Sequence, residues 1–368
     1  MKILSFEVFG LLGREGPLKV KFNDDMNIIT GRNGSGKTSA LKLLWFILSG
    51  NILLALSEVP FKKATLETTE YECTIYRESQ NTCRIDWKVG DQRTVFEDRF
   101  DEDGDSIFNA EDQANEKLMK LGSSVFLPTF RRIEGGFTLS DRRSIFLKSK
   151  NEIEDSLIAL SKRLSNEKHT FVASLSTVDI VTLLVNQYNE LSEQYNELQQ
   201  KTSQDIIGKI KAYKLDNSDE DQLDAATRTL DQIRQQIESM EASREIIMTP
   251  LEAVRVLAMK LFKHSGIKLG KTFSFGDAAN AVNSDALSAG EKQMLSFIAY
   301  NAFHRDSIVI IDEPELSLHV DWQRQLFPML LSQQTSNQFI IATHSPFIYS
   351  KYPDKEIQID SDRGDCDM

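Results

Sequence analysis

The chain has 368 residues, 40% hydrophobic and 27% charged, with a formal net charge of -12 and a pI of about 5.1. That length accommodates one large core plus an appendage. The acidic balance argues against wholesale coating of nucleic acid, leaves a local basic patch open, and suits a chain with protein partners. Cys73, Cys83 and Cys366 are odd in number and lack metal-ligand spacing, which argues against a disulfide framework and for a reducing cytoplasm. The N-terminal MKILSFEVFG meets a glycine and then charges too early for a secretory signal. The longest apolar run, around Leu41–Leu56, is broken by Lys42, Ser49, Gly50 and Asn51 and is too short to span a bilayer, so no membrane partner is expected.

In chain order, short apolar runs predict strands at Lys2–Val8 and Leu18–Phe22, and Met26–Thr30 has a buried-strand pattern ending at a glycine loop. A helix is predicted over Lys37–Leu48. Alternating stretches at Thr65–Arg77, Thr82–Val89 and Arg93–Phe96 predict an antiparallel meander, and Glu97–Asp105 an acidic solvated loop. Ser123–Leu127 is a further strand, closed by Pro128. From about Arg142 to Lys263 the texture is helical. Leu184, Tyr188, Leu191, Tyr195 and Leu198 alternate spacings of four and three, as do Leu223, Ala226, Leu230, Ile233, Ile237 and Met240. Lys214–Glu220 is the turn between them, giving an antiparallel coiled-coil-like arm; a compact helical bundle has the same periodicity. Ile308–Ile311 and Phe339–Ala342 return to the short apolar runs of buried parallel strands. The expected parts are 1–141 and 265–368 as two lobes of one α/β head, with 142–264 inserted between them.

Gly31-Arg32-Asn33-Gly34-Ser35-Gly36-Lys37-Thr38 satisfies the P-loop pattern, with a strand before it and a helix after it. Glycines let backbone N–H groups wrap phosphates, and the helix N-terminus adds partial positive charge. The expected nucleotide-binding set is Gly31, Asn33, Gly34, Ser35, Gly36, Lys37, Thr38 and Ser39. Lys37 reaches the β- and γ-phosphates and Thr38 ligates Mg²⁺. Ile308–Glu313 is an apolar strand ending in two carboxylates, a Walker B strand. Asp312 is expected in the Mg²⁺ shell, and Glu313 to polarise the attacking water.

Leu287-Ser288-Ala289-Gly290-Glu291-Lys292-Gln293 opens an apolar helix shortly before that strand, and here the sequence resembles ABC ATPases. Their signature is a Ser and a Gly at a helix N-terminus, set against ATP held by the opposite subunit; Ser288 and Gly290 match it. An ordinary capped helix, Ser followed by Glu three residues later, is also compatible. His344, in Ile341-Ala342-Thr343-His344-Ser345-Pro346, matches the switch histidine that senses the γ-phosphate. Glu313-Pro314-Glu315-Leu316-Ser317-Leu318-His319 resembles the D-loop region of OLD-type and RecF-type ATPases, which makes His319 a loop-shaping residue. Phe126–Gly136 sits where these families carry the Q-loop, but the glutamine is missing; Arg131 and Arg132 there are either a solvated pair or a contact to phosphate, partner or nucleic acid. Arg14 is a weak candidate for nucleotide contact.

The resemblance implies the head of the SMC/RecF/OLD-like class, in the AAA_15/AAA_21 grouping: a P-loop core sheet plus an antiparallel β-subdomain, with the helical arm inserted. It implies ATP and Mg²⁺ as cofactors, and an ATP-sandwiched homodimer or a higher-order assembly. The nearest likeness is to ATPases of bacterial antiphage modules such as Septu, retron–Septu and PARIS. It implies a cytoplasmic ATPase that senses a phage-encoded trigger and controls a separate effector. OLD-type nucleases add a Toprim domain, for which the residues after His344 leave no room. The effector, of Toprim or HNH nuclease type, is therefore expected on another chain. A RecF-type repair ATPase that clamps DNA is the alternative, which the acidic charge weighs against. Glu313 weighs against a third reading, a non-hydrolysing assembly protein.

Overall fold

The structure is a computed structural model, and it describes residues 1–101, 106–129, 132–133, 156–175, 177–213, 222–264 and 288–359. The chain divides into two compact units, Met1–Thr177 with Leu287–Met368, and Val178–Ala286. The first unit opens with β1 (Ile3–Phe9), β2 (Leu18–Lys21) and β3 (Met26–Thr30), followed by α1 (Lys37–Leu48) and α2 (Ile52–Glu58). Next come β4 (Lys63–Thr68), β5 (Glu72–Arg77), β6 (Cys83–Val89), β7 (Gln92–Glu97), and the short pair β8 (Arg99–Phe100) and β9 (Ser106–Phe108). Then follow α3 (Ala110–Leu118), β10 (Ser124–Leu127), β11 (Arg132–Ile133), β12 (His169–Phe171) and β13 (Ser174–Leu175). The second unit is built of α4 (Thr177–Tyr213) and α5 (Gln222–His264). The first resumes with α6 (Ala289–Phe303), β14 (Ile308–Asp312), α7 (Val320–Leu331), β15 (Gln338–Ala342), α8 (Pro346–Tyr349) and β16 (Glu356–Gln358).

Among the described residues two six-stranded sheets form. One is antiparallel, in the order β2-β1-β4-β5-β6-β7; the other is parallel, in the order β12-β10-β14-β15-β3-β16. The expected P-loop sheet and antiparallel β-subdomain are therefore both present. Every residue of β3, β10, β14 and β15 is buried, which is why their sequences are apolar runs rather than alternations. One core cluster joins Phe6, Leu66 and Ile85 of the antiparallel sheet to Phe126, Ile310 and Ile340 of the parallel sheet through α1. Leu43 to Leu48 of α1 are all buried, and the Trp45 ring lies 5.7 Å from that of Phe126 and 5.2 Å from that of Phe171. Removing an aromatic at such a node costs about 3–5 kcal/mol. A polar clasp adds to this: the buried Gln338 amide of β15 accepts from the Ile3 backbone N–H at 2.7 Å and donates to the Ile3 carbonyl at 2.8 Å. The sheets thus share a backbone-like pair of hydrogen bonds.

Three details depart from the sequence expectations. Thr65–Arg77 is two strands, because the Thr68 hydroxyl donates to the Tyr71 carbonyl and accepts from the Glu70 and Tyr71 N–H groups, making a tight turn. Residues 156–175, expected within the helical insertion, belong to the first unit, where β12 adds to β10 in parallel register. Along α5 the half-buried seam runs through Thr229, Ile233, Gln236, Met240, Ser243 and Ile247, while Leu230 is 66% and Ile237 41% exposed. Two 4-3 registers share Ile233 and Met240. The one adopted is continuous with Ile247 and with Leu251 and Val254, both buried, so the packed end of the helix sets the register. On α4 the buried Leu184 and the half-buried Leu191, Tyr195 and Leu198 fall as expected, whereas Tyr188 is 45% exposed; Arg244 of α5 lies over the Tyr195 ring at 5.5 Å. The expected turn at Lys214–Glu220 lies outside the described residues. No helix among them is long and apolar enough to cross a membrane.

His169 is fully buried, and its Nδ1 pairs with the Ser124 hydroxyl at 2.8 Å. Burial disfavours the imidazolium and lowers its pKa from 6.5 to about 4. The unfolded chain therefore takes up this proton before the folded chain does. Its effect on stability is nil above the unfolded value and grows as pH falls towards 4, amounting to a loss of roughly 3 kcal/mol. Urea unfolding of His169→Gln is expected to weaken distinctly less than the parent between pH 6.5 and 4.5.

Candidate nucleotide-binding site

Parallel register collects the site. Asp312 lies opposite Ala342, and Ala342 opposite Ile29, so β14, β15 and β3 end at one edge of the sheet. There the chain leaves β3 into Gly31–Gly36 and enters α1. Gly31 has φ +151°, and a Cβ on it would lie 2.7 Å from the Ile359 carbonyl, so only glycine fits. Gly36 caps α1 without any side-chain hydrogen bond, which leaves the first N–H groups of the helix facing outward for an anion. The Lys37 ammonium donates to the Gly31 carbonyl at 2.9 Å, the Arg32 carbonyl at 3.1 Å and the Ser35 hydroxyl at 3.4 Å. Burial lowers its pKa, against the opposing pull of Glu313, Asp312 and Glu315. Arg14 donates to the Ser35 carbonyl, so its guanidinium braces the loop from behind.

A cleft of about 490 Å³ opens here. Asn33, Gly34, Gly36, Lys37, Thr38 and Ser39 line one side, and Glu313, His344 and Leu12 complete it. Ser35 is buried beneath the loop. Asp312 is fully buried at the end of β14 and accepts a hydrogen bond from the Thr129 hydroxyl, one residue past Pro128. Glu313 takes φ +48°, a costly conformation for a glutamate, and its N–H donates to the Ala342 carbonyl at 2.8 Å. Its pKa is raised by burial first and then by the charges of Asp312 and Glu315, with His344 and Lys37 opposing. His344 Nε2 lies 3.9 Å from Glu313 Oε1.

Ser288 and Gly290 do not line this cleft. Ser288 is exposed and caps α6 with a capping box: its hydroxyl accepts from the Glu291 N–H at 3.3 Å, and its own N–H donates to the Glu291 carboxylate at 2.8 Å. Gly290 is buried, and a Cβ on it would lie 2.5 Å from the Ser317 carbonyl. The buried Gln293 donates to the Pro314 carbonyl at 3.2 Å. The loop after β14 is thus braced by the start of α6. His319 caps α7, its ring accepting from the Asp321 N–H at 3.4 Å. Arg131 and the side chain of Arg132 lie outside the described residues.

Sequence reasoning passed over two groups. Thr129 stands where the missing Q-loop glutamine was sought; its only signal was a hydroxyl next to a strand-ending proline. Glu315 accepts from the Thr343 hydroxyl at 2.8 Å and from the His344 N–H at 2.6 Å, and its signal was a third carboxylate just past the Walker B pair. Among the described residues no cluster of three or more His, Cys, Asp or Glu could hold a metal by itself. The hydroxyl of Thr38, which lines the cleft, and the carboxylate of Asp312, buried at the end of β14 next to the cleft-lining Glu313, are oxygen donors of the kind that fits Mg²⁺. That ion takes one or two protein oxygens and completes its shell with water and phosphate.

A glycine loop, an apolar strand ending in two carboxylates and a histidine, gathered at one edge of a parallel sheet, are the arrangement of a P-loop nucleotide-binding domain. Residues 26–350 match the AAA_21 family, described as "AAA domain, putative AbiEii toxin, Type IV TA system", and the chain belongs to that family. It is similar to the "Retron Ec83 probable ATPase" of Escherichia coli, 38% identical over 73 residues, 16% of this chain and 14% of that protein. It is also similar to "Endonuclease GajA" of Bacillus cereus (strain VD045), 43% identical over 63 residues, 16% of this chain and 11% of that protein. The "Retron Vc95 probable ATPase" of Vibrio cholerae serotype O1 biovar El Tor is 30% identical over 86 residues, 20% of this chain and 17% of that protein. The matches therefore span less than a fifth of the length of each relative. Among solved structures, an Smc head domain with an extended coiled coil from Pyrococcus furiosus, bound to the C-terminal domain of ScpA, aligns with 95% of this chain and 91% of that one, at 12% identity and a TM-score of 0.38. The fold assignment rests on strand order and register instead.

The close approach of Gly290 to Ser317 sets a test of the α6 bracing. In Gly290→Ala either the loop carbonyl or the helix must shift, at a cost of about 1–3 kcal/mol. The urea midpoint is expected to fall accordingly, whereas Ala289→Gly, at a neighbouring half-buried position, is expected to cost no more than about 1 kcal/mol.

Proposed function

We propose that this chain binds ATP with Mg²⁺ and hydrolyses it to ADP and phosphate, at a site completed by Ser288 and Gly290 of a second copy. The observation that carries the reading is the single cleft in which Lys37, Thr38, Glu313 and His344 meet the open N-terminus of α1. In this reading the Gly31–Gly36 backbone and Lys37 hold the β- and γ-phosphates. Thr38 and Asp312 hold the ion, which neutralises charge on the transferred group when bound. Asn33 and Ser39 flank the phosphates. Glu313, which lines the cleft beside His344, polarises the attacking water and takes its proton. His344, beside Glu313, meets the γ-phosphate. The exposed Ser288, outside its own cleft, is free to face the nucleotide of the other copy. The functional division follows two lobes of one head separated by a helical insertion, with residues 156–175 counted with the head and Val178–Ala286 as the insertion.

Glu313→Gln is expected to keep ATP binding and lose about 10²-fold or more in turnover, while Lys37→Ala is expected to bind weakly. Mixing Lys37→Ala with Ser288→Arg creates dimers with one site free of both lesions. Partial return of activity is expected, and its absence in confirmed mixed assemblies would rule out completion by a second copy.

We further infer that the ATPase is a cytoplasmic sensor and scaffold of a bacterial antiphage module, controlling a separate effector of the Toprim or HNH nuclease type in response to a phage-encoded trigger. The support is likeness to two retron ATPases and GajA. Physically, ATP held between two heads stabilises a closed state and hydrolysis withdraws it, so a partner that fits one state is held or released. The neighbouring gene product is expected to co-purify with the wild type and to change its yield with Lys37→Ala and Glu313→Gln, both of which abolish protection in a phage challenge. Full protection by the ATPase alone, with no partner recovered, would move the reading to a RecF-type clamp acting on DNA.

A further inference from the structure

The strongest unassigned constellation lies just behind the cleft. Glu315 uses both carboxylate oxygens: Oε2 accepts from the Thr343 hydroxyl, and Oε1 accepts from the His344 backbone N–H. Bonds to an ionised acceptor are among the strongest a protein makes. Thr343 is fully buried, and its hydroxyl also accepts from the Ser345 N–H at 3.0 Å, so the carboxylate fixes three consecutive residues. A second line runs alongside: the Ser345 hydroxyl donates to Gln323 at 2.6 Å, and Gln323 donates to the Leu318 carbonyl at 2.8 Å. Both lines start in the loop between β14 and α7. That loop holds Glu313 and Ser317 at positive φ, +48° and +66°, and it rests on α6 through Gly290 and Gln293.

We propose that Glu315 is a positioning residue that sets the backbone of His344 and ties it to the start of α6, so that the state of a chain's Ser288–Gly290 face is relayed to that chain's own His344. If a second copy's nucleotide displaces the start of α6, Ser317 must follow, because there is no space between them. Glu315 then carries the motion to the histidine next to Glu313. The relay rests on the hydrolysis reading above for its consequence; the tie itself does not.

The test uses the full chain with Glu315→Gln and Thr343→Val. A glutamine keeps the volume but is neutral and offers one acceptor where two donors converge, so in either orientation of its amide the charge-assisted bond to the His344 N–H is lost. Amide exchange at His344 is followed by NMR without nucleotide. Affinity for a fluorescent ATP analogue, kcat and KM are measured alongside. For Glu315→Gln we expect His344 exchange to quicken about tenfold or more, as loss of a bond to a charged group implies. We also expect a fall of similar size in kcat, with affinity and KM within about twofold of the parent. Thr343→Val is expected to shift the same readouts in the same direction by less, and it carries the test if Glu315→Gln fails to fold. Unchanged His344 exchange would overturn the tie. Faster exchange with unchanged kcat, or affinity falling in step with kcat, would overturn the relay and leave Glu315 a structural brace. If the parent turns over no ATP, the hydrolysis reading fails, while the exchange measurement still decides the tie.

Discussion

The register of three parallel strands governs everything at the site. Asp312, Ala342 and Ile29 lie in one row across β14, β15 and β3, and the chain leaves all three strands on the same side. A slip of one residue in β14 would turn Asp312 to the opposite face of the sheet and carry Glu313 away from His344. That register is held by burial: every side chain of the three strands is enclosed, so no slipped pairing preserves the packing. Ligands of open parallel sheets bind outside the carboxyl ends of the strands, and the cleft here follows that rule because the strands end together.

Charge is the second constraint. Asp312, Glu313 and Glu315 crowd the edge, opposed by Lys37 and by whatever charge His344 carries. The three acids are not equivalent. Asp312 is fully buried and accepts from the Thr129 hydroxyl; Glu315 is engaged by two donors; Glu313, its backbone strained, lines the cleft, and its pKa is raised. Environment thus gives three neighbouring carboxylates three different settings, matching the separate roles proposed for them above. A triphosphate would enter a site already rich in negative charge, so the open N-terminus of α1, Lys37 and a divalent ion act together rather than as alternatives.

The sequence carried most of this where function forces local pattern. The helix predicted over Lys37–Leu48 has those same ends, since a glycine loop before it and a glycine-bearing turn after it are local signals. The strand before Glu313 was equally plain, because its four consecutive apolar residues, Ile308–Ile311, are all buried. Long-range contacts were not legible. Nothing local ties Thr129 to Asp312, or Glu315 to residues of another strand's end. The β12 segment is three residues long and pairs with a strand far earlier in the chain, so periodicity could not reveal it. The seam of α5 failed for a different reason. Two registers satisfy the same spacing rule, and the more apolar one loses to the one continuous with Leu251 and Val254.

The interleaving of the parallel sheet has a consequence for how the chain is made. β3 and β10 emerge early from the ribosome, yet the strands that separate them in the sheet, β14 and β15, are translated only after both long helices. The clasp from Gln338 to Ile3 likewise joins residues more than three hundred positions apart in the chain. Until that last stretch arrives, α1 has no parallel sheet to cover it, and its apolar faces stand open to solvent or to neighbours. At elongation rates of about 5–20 residues per second, that interval lasts on the order of 10 s or more. The later segment acts as the closing piece of a sheet whose neighbours in space are not neighbours in sequence, an arrangement of long-range pairing that slows folding.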